Sequence, residues 1–189
     1  ERNMEELTDR VTAMLKKDKI ENITLSQWLT GGEMEHDLKD ICKEYHPDLV
    51  VMGTTGKGNT VNVWGKVSTF IIDHARVPVV TVPPIRSFRG FMSIMFAADL
   101  SESTPGLLKQ LLNLFPDPSA MVHVVHFVKN VRHTDGWVKM KNLQLQFQEE
   151  ESSGRVKFEV VEVEEDNQQA IDKVVSERSI SLIAFKPHK

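Results

Sequence analysis

Short apolar runs alternate with amphipathic stripes along almost the whole chain, and this alternation limits the fold more than any other feature. The runs are "DLVVMG" (48–53), "VPVVTVPP" (77–84), "FMSIMFAADL" (91–100), "AMVHVVHFV" (120–128), "VKFEVVEVEE" (156–165) and "ISLIAF" (180–185). They are short, rich in β-branched residues and bounded by Gly, Pro or polar residues, as buried parallel strands are. Residues 22–29 alternate apolar and polar, the pattern of a half-buried strand. Between the runs, apolar residues recur at helical spacing. Met4, Leu7, Val11, Met14 and Leu15 mark a helix over 3–17, and Met34, Leu38, Ile41, Cys42 and Tyr45 one over 33–45, closed by Pro47. Val67, Phe70, Ile71, His74 and Ala75 mark a helix over 64–76. A helix over 103–115 has Ser103 or Thr104 to cap it and Pro105 in its first turn. One over 136–150 turns Trp137, Met140, Leu143 and Phe147 inward, and one over 169–178 follows. Strands alternating with helices predict an α/β fold with parallel sheets. The same grammar occurs twice, with "PPIRSFRG" (83–90) between, which predicts two related halves, 1–85 and 86–189.

The segment "DLVVMGTTGKGNT" (48–60) raises a chemical question, because an apolar run ends in glycines, a lysine and hydroxyls. A P-loop needs four residues between its first glycine and the Gly-Lys pair, followed by Ser or Thr. Here only Thr54 and Thr55 separate Gly53 from Gly56-Lys57, and Gly58 follows the lysine. The dinucleotide fingerprint G-x-G-x-x-G is absent as well.

Composition excludes several classes. Of the 189 residues 40% are hydrophobic, enough for a packed core, and the net charge of −4 argues against nucleic acid as a partner. No apolar run is long enough to cross a bilayer, and no signal-peptide pattern opens the sequence. A single cysteine, Cys42, fits a reducing cytoplasm. Other constellations carry less. His123 and His126 stand three apart on a strand and so face opposite sides. Cys42 and His46 have metal-ligand spacing but no second pair, so a buried structural thiol and no metal site is expected. His36 and His74 read as helix-surface or helix-end residues. Ser68 and Asp73-His74 do not share a helix face, so no hydrolase dyad is expected. The acidic run 162–166 reads as a solvated strand end, and Trp28, Trp64 and Trp137 form no stacking stripe for single-stranded nucleic acid.

A different glycine pattern does fit. Gly53 and Gly56 form G-x-x-G, and Gly65-Lys66-Val67-Ser68 follows at a helix start, with "PDLVVMG" before and "DHARVPVVTVP" after. From about Asn22 to Val82 this resembles the universal stress protein family. The second half resembles the same domain from its first strand, where "IMFAADLSES" carries the strand and its aspartate, so the chain looks like part of a tandem member.

The resemblance implies an open three-layer sheet of order 3-2-1-4-5, helices on both faces, and an adenine-nucleotide site at the sheet's carboxyl edge, with ATP the ligand of the binding members. It implies phosphate and ribose contacts from Gly53, Thr54, Gly56, Lys57, Gly58, Gly65, Lys66, Val67 and Ser68, and adenine contacts from Asp99 and from Val125 beside Val124. Glycines let main-chain amides approach an anion, and a helix start adds positive potential. The chain departs from the family motif G-x2-G-x9-G-[S/T] twice: one residue fewer lies between Gly56 and Gly65, and Lys66 stands where Ser or Thr belongs.

By strand count the first half would hold only its third, fourth and fifth strands, leaving the third without neighbours. The second half would stop after its fourth strand, at "FKPHK", without a glycine loop. The expected explanation is a longer tandem protein, or exchange of elements between chains. The expected function is a cytoplasmic stress-response module that binds rather than catalyses and self-associates through the fifth strand, "VPVVTVP". The alternatives are a scaffold without ligand and an ATP-using enzyme of a related α/β superfamily. "AADLSEST" offers that enzyme hydroxyls at Ser101, Ser103 and Thr104 but no glycine spacing.

Overall fold

The computed structural model describes residues 2–28, 34–53, 70–72, 74–75, 77–83, 90–129, 134–164 and 166–187. The chain divides into two compact units, Glu1–Ile85 and Arg86–Lys189.

In the first unit, α1 (Arg2–Lys17) buries the row Met4, Thr8, Val11 and Leu15 partway, while Leu7 and Met14 face out. The inward row runs through Thr8, whose hydroxyl is satisfied by the Met4 carbonyl at 3.0 Å; the all-apolar stripe expected from the sequence is displaced by that much. Lys19, at φ 54, ends the helix, and the Ile20 N–H reaches back to the Leu15 carbonyl at 2.9 Å. Residues 22–28 form no strand, against the expectation. Asn22 enters at φ 66, and no described strand lies alongside to satisfy an extended backbone, so alternation alone does not make one. Ile23, Leu25 and Trp28 stay exposed, the Trp28 ring edge-on to Tyr45 at 4.6 Å.

α2 (Met34–Tyr45) half-buries Leu38, Ile41 and Cys42 and leaves Tyr45 exposed; His46, at φ 44, turns the chain out. β1 (Val50–Gly53) and β2 (Val79–Val82) then pair in parallel, Val50 opposite Val79 and Gly53 opposite Val82. Among the described residues the pair has no third strand and is covered on one side: Val50 and Met52 are half-buried and Val51 is exposed, not sealed on both faces as expected. Of the helix expected over 64–76, residues 70–72 and His74 are helical, and 64–69 lie outside the described residues.

The second unit has four parallel strands in the order β5-β4-β3-β6, where β3 is Ser93–Ala97, β4 Met121–Val128, β5 Val156–Glu162 and β6 Leu182–Phe185. Counted from the unit's own start, that is third, second, first, fourth. α3 (Thr104–Leu114), α4 (Thr134–Gln146), α5 (Gln148–Ser152) and α6 (Asn167–Glu177) connect them. Side chains alternate across β3 and β4. Ile94, Phe96, Val122 and Val124 meet Leu108 and Leu111 of α3 and Met140 and Leu143 of α4, while Met95 and Val125 meet Val174 of α6 on the other face. This is the α/β arrangement expected, with parallel strands and helices on both faces. Full burial of each of these side chains contributes roughly 1.5–3 kcal/mol.

Three local expectations change. Trp137 faces solvent and only Met140, Leu143 and Phe147 turn inward, because Gly136 in the first turn sets that end of α4 against His126 of β4. Phe147, at φ −120 and ψ 34, leaves helical geometry to stay in the core, which splits the expected helix into α4 and α5. The acidic stretch after β5 is more than a solvated end, since Val163 is buried and Asp166 caps α6 by accepting from the Gln168 N–H at 3.1 Å. The sheet's edges differ. β5 carries Lys157, Glu159 and Glu162, whereas β6 carries only Leu182, Ile183, Ala184 and Phe185, with Ile183 and Phe185 exposed.

Truncating Leu108, which has no exposed surface, to Ala should cost roughly 2–5 kcal/mol. Leu145→Ala, at a position 60% exposed, should change stability by no more than about 0.5 kcal/mol. Urea unfolding followed by circular dichroism separates the two.

Candidate functional site

The carboxyl edge of the four-stranded sheet gathers the polar groups of the second unit. Beyond β3, the Ala98 N–H extends the ladder to the Val125 carbonyl at 2.8 Å. The chain must then reverse into α3. Leu100 does this at φ 55, a left-handed conformation that costs a non-glycine residue on the order of 1 kcal/mol. Burial of the Leu100 side chain and the bonds of Asp99 offset that cost. Asp99 Oδ1 accepts the Ser101 N–H at 3.0 Å and the Thr104 hydroxyl at 2.9 Å. The Ser101 amide, with help from both hydroxyls and from Lys186, holds the Asp99 carboxyl at about 2 against partial desolvation.

Neither expected cap of α3 works as a cap. Ser103 occupies the N-cap position with no side-chain bond to the helix, and Thr104, 2% exposed, is spent on Asp99. The Ser103 hydroxyl instead meets Ser101 Oγ at 3.0 Å and accepts from Lys186 Nζ at 2.9 Å, which links the loop after β3 to the segment after β6. On the helical side, His126 Nδ1 donates to the Ala98 carbonyl at 2.8 Å, the role a carbonyl partner dictates. Its Nε2 then faces α4, where a methyl added at Gly136 would lie 3.2 Å away. Beside this edge an open hollow of about 400 Å³ has Leu100, Thr104 and Leu143 among its lining residues, with Glu102, Lys139 and Asn142.

A second cluster lies on the α6 face, and sequence reasoning missed it. Glu159 accepts from Arg178 through Nη2 at 2.9 Å and Nε at 3.3 Å, and from His123 Nδ1 at 3.2 Å, with Lys157 Nζ at 3.6 Å. The Arg178 guanidinium, then His123 and Lys157, hold the Glu159 carboxyl at about 2 against desolvation. The Arg178 carbonyl in turn accepts from Ser93 Oγ at 2.9 Å. The cluster thus ties β3, β4 and β5 to the end of α6. A signal for it existed: His123 is a polar residue among Val122, Val124 and Val125 of β4, and Glu159 one among Phe158, Val160 and Val161 of β5.

Of the expected site residues, Gly53 ends β1 at the carboxyl edge of its pair, with open space where a Cβ would stand. Thr54, Gly56, Lys57, Gly58, Gly65, Lys66, Val67 and Ser68 lie outside the described residues. Asp99 sits at the sheet edge. Val125 lies beside it through its carbonyl, but its side chain has no exposed surface and packs with Met95 and Val174. His123 and His126 point to opposite faces as expected, each with its own partner. Cys42 is a free, half-buried thiol. Among the described residues, no three His, Cys, Asp or Glu side chains converge as metal ligands, and no helix is long and apolar enough to cross a membrane.

Residues 1–83 match the model of the universal stress protein family. No curated protein and no solved structure gives a significant match.

Glu159 gives a pH signature with a definite sign. Its folded value of about 2 lies below the ordinary 4.5, so its contribution is present above pH 4.5 and is lost as pH falls towards 2. Urea titrations at pH 7 and pH 3 should show this contribution falling by about 1 kcal/mol, the full shift being discounted for partial solvent access. Glu159→Gln should be less stable at pH 7 and lose less between the two.

Proposed function

We propose, from the premise that residues 1–83 form a universal stress protein domain, that the chain is a cytoplasmic stress-response module whose first unit takes an adenine nucleotide. The second unit is its non-binding companion, a repeat of the same domain type. The observation that carries the reading is the family match itself, which spans the glycine-rich segment. Within that match, β1 ends on Gly53 at the carboxyl edge of a parallel pair, where ligands of such sheets bind. The segment that follows supplies Gly56, Lys57, Gly65 and Lys66. Glycine amides and two ammonium groups suit a polyphosphate, and Thr54 and Ser68 supply hydroxyls for ribose or phosphate.

The second unit is differently furnished. Asp99 Oδ1 already accepts two internal bonds, and the Val125 side chain is sealed in the core. Those features support a unit that scaffolds rather than binds. β2 is the proposed surface of self-association, its Val82 exposed. Binding and signalling, not turnover, is the proposed activity. A second reading, a scaffold in which neither unit takes a ligand, draws support from the shortened glycine spacing and from Lys66.

Mass spectrometry of the purified chain should detect co-eluting ATP or a related adenine nucleotide. Gly56→Val should weaken equilibrium binding by about tenfold or more, equivalent to about 1.4 kcal/mol. Asp99→Asn should leave it unchanged. An empty protein that takes up no added ATP would establish the scaffold reading, and binding that survives Gly56→Val would move the ligand away from this loop.

A further inference from the structure

We propose that the outer face of α4 is a self-complementary docking surface, and that its occupant is a second copy of this chain packed antiparallel across Leu145. α4 is apolar on two sides. Met140 and Leu143, with Phe147 just beyond, serve the core, yet Trp137, Val138 and Leu145 remain 49%, 57% and 60% exposed. A helix that only roofs a sheet presents polar residues to water.

The charges around these apolar residues select the occupant. Lys141 and Glu149 each lie four residues from Leu145, on opposite sides and on the same stripe of the helix surface. An antiparallel pair centred on Leu145 sets every residue against the one equally far beyond the centre. Lys141 then faces the partner's Glu149, and the contact recurs by the two-fold symmetry. A parallel pair would set lysine against lysine and glutamate against glutamate. A purely acidic or purely basic partner would satisfy only one of these two charges; a second copy satisfies both. The Gln144 amide bonds the Glu151 carboxylate seven residues on, about two helical turns, which keeps α5 close to the line of α4 past the break at Phe147. One helix pair buries less than a standard interface, so the contact is weak and favoured at high protein concentration.

Cross-linking tests the register in the full chain. With Cys42→Ser removing the native thiol, Leu145→Cys places two thiols on the symmetry axis, and mild air oxidation should give a disulfide-linked dimer. Val138→Cys, which would face the partner's Ser152, should cross-link at least about tenfold more slowly, because its thiols stay apart. Sedimentation velocity of charge variants supplies the second arm. Lys141→Glu should weaken association roughly tenfold, and Lys141→Glu with Glu149→Lys should restore it. Circular dichroism checks that each variant is folded; Val138, Lys141, Leu145 and Glu149 are exposed, and Cys42→Ser is close in size at a half-buried position, so all should be. Equal cross-linking at both positions, no dimer from Leu145→Cys, or failure of the charge exchange to rescue would each overturn the proposal. Association through β2 alone would give the second of these outcomes.

Discussion

A parallel strand satisfies its backbone only through neighbours on its flanks, and that requirement governs both units. In the second, β3 lies between β4 and β6, and β4 between β5 and β3, so the central ladders are complete. Their side chains are then free to serve two cores, one beneath α3 and α4 and one beneath α6. In the first unit the same requirement has a thinner answer. β1 has β2 and no other described neighbour, and residues 22–28 have none. The one pair holds as strands while the lone segment stays irregular, although its side chains alternate as well as those of many strands.

Much of this was legible in the residues. Six apolar runs became six strands, because a short β-branched run between turn residues has few other ways to bury itself. Helix positions followed from spacing for the same reason. What stayed hidden depends on groups distant in sequence. Trp137 has the spacing of an inward residue, but Gly136 against His126 sets the start of α4. Ser103 has the identity of a cap, but Lys186, more than eighty residues away, takes its hydroxyl. The cluster around Glu159 joins three strands and a helix end, and no local window contains it. For the candidate site, Asp99 was found through a family resemblance, and its bonds to Ser101 and Thr104 became visible only with coordinates.

Asp99 shows how one carboxylate can hold a fold and a site apart. At the mouth of β3 it faces the place where sheets of this kind receive ligands. Its nearer oxygen is nevertheless spent on the turn that carries the chain into α3, the turn in which Leu100 adopts its left-handed conformation. A carboxylate so placed stabilises the entrance to a helix first. The glycine-rich stretch after β1 differs in composition: residues 54–60 contain two glycines and a lysine and no carboxylate. The family model covers the first unit, where that stretch lies, and not the second, where Asp99 lies.

The unlike edges of the four-stranded sheet bias how the unit meets other molecules when crowded. Along β5, lysine and glutamate keep their water and repel a flat, dry approach. Within β6 itself no charged side chain does so, since its four uncharged residues end in an outward phenylalanine. In a concentrated solution or a slowly folding nascent chain, irreversible clumping would start from that flank. A single lysine in place of Ile183 would be the economical way to make the protein easier to keep in solution.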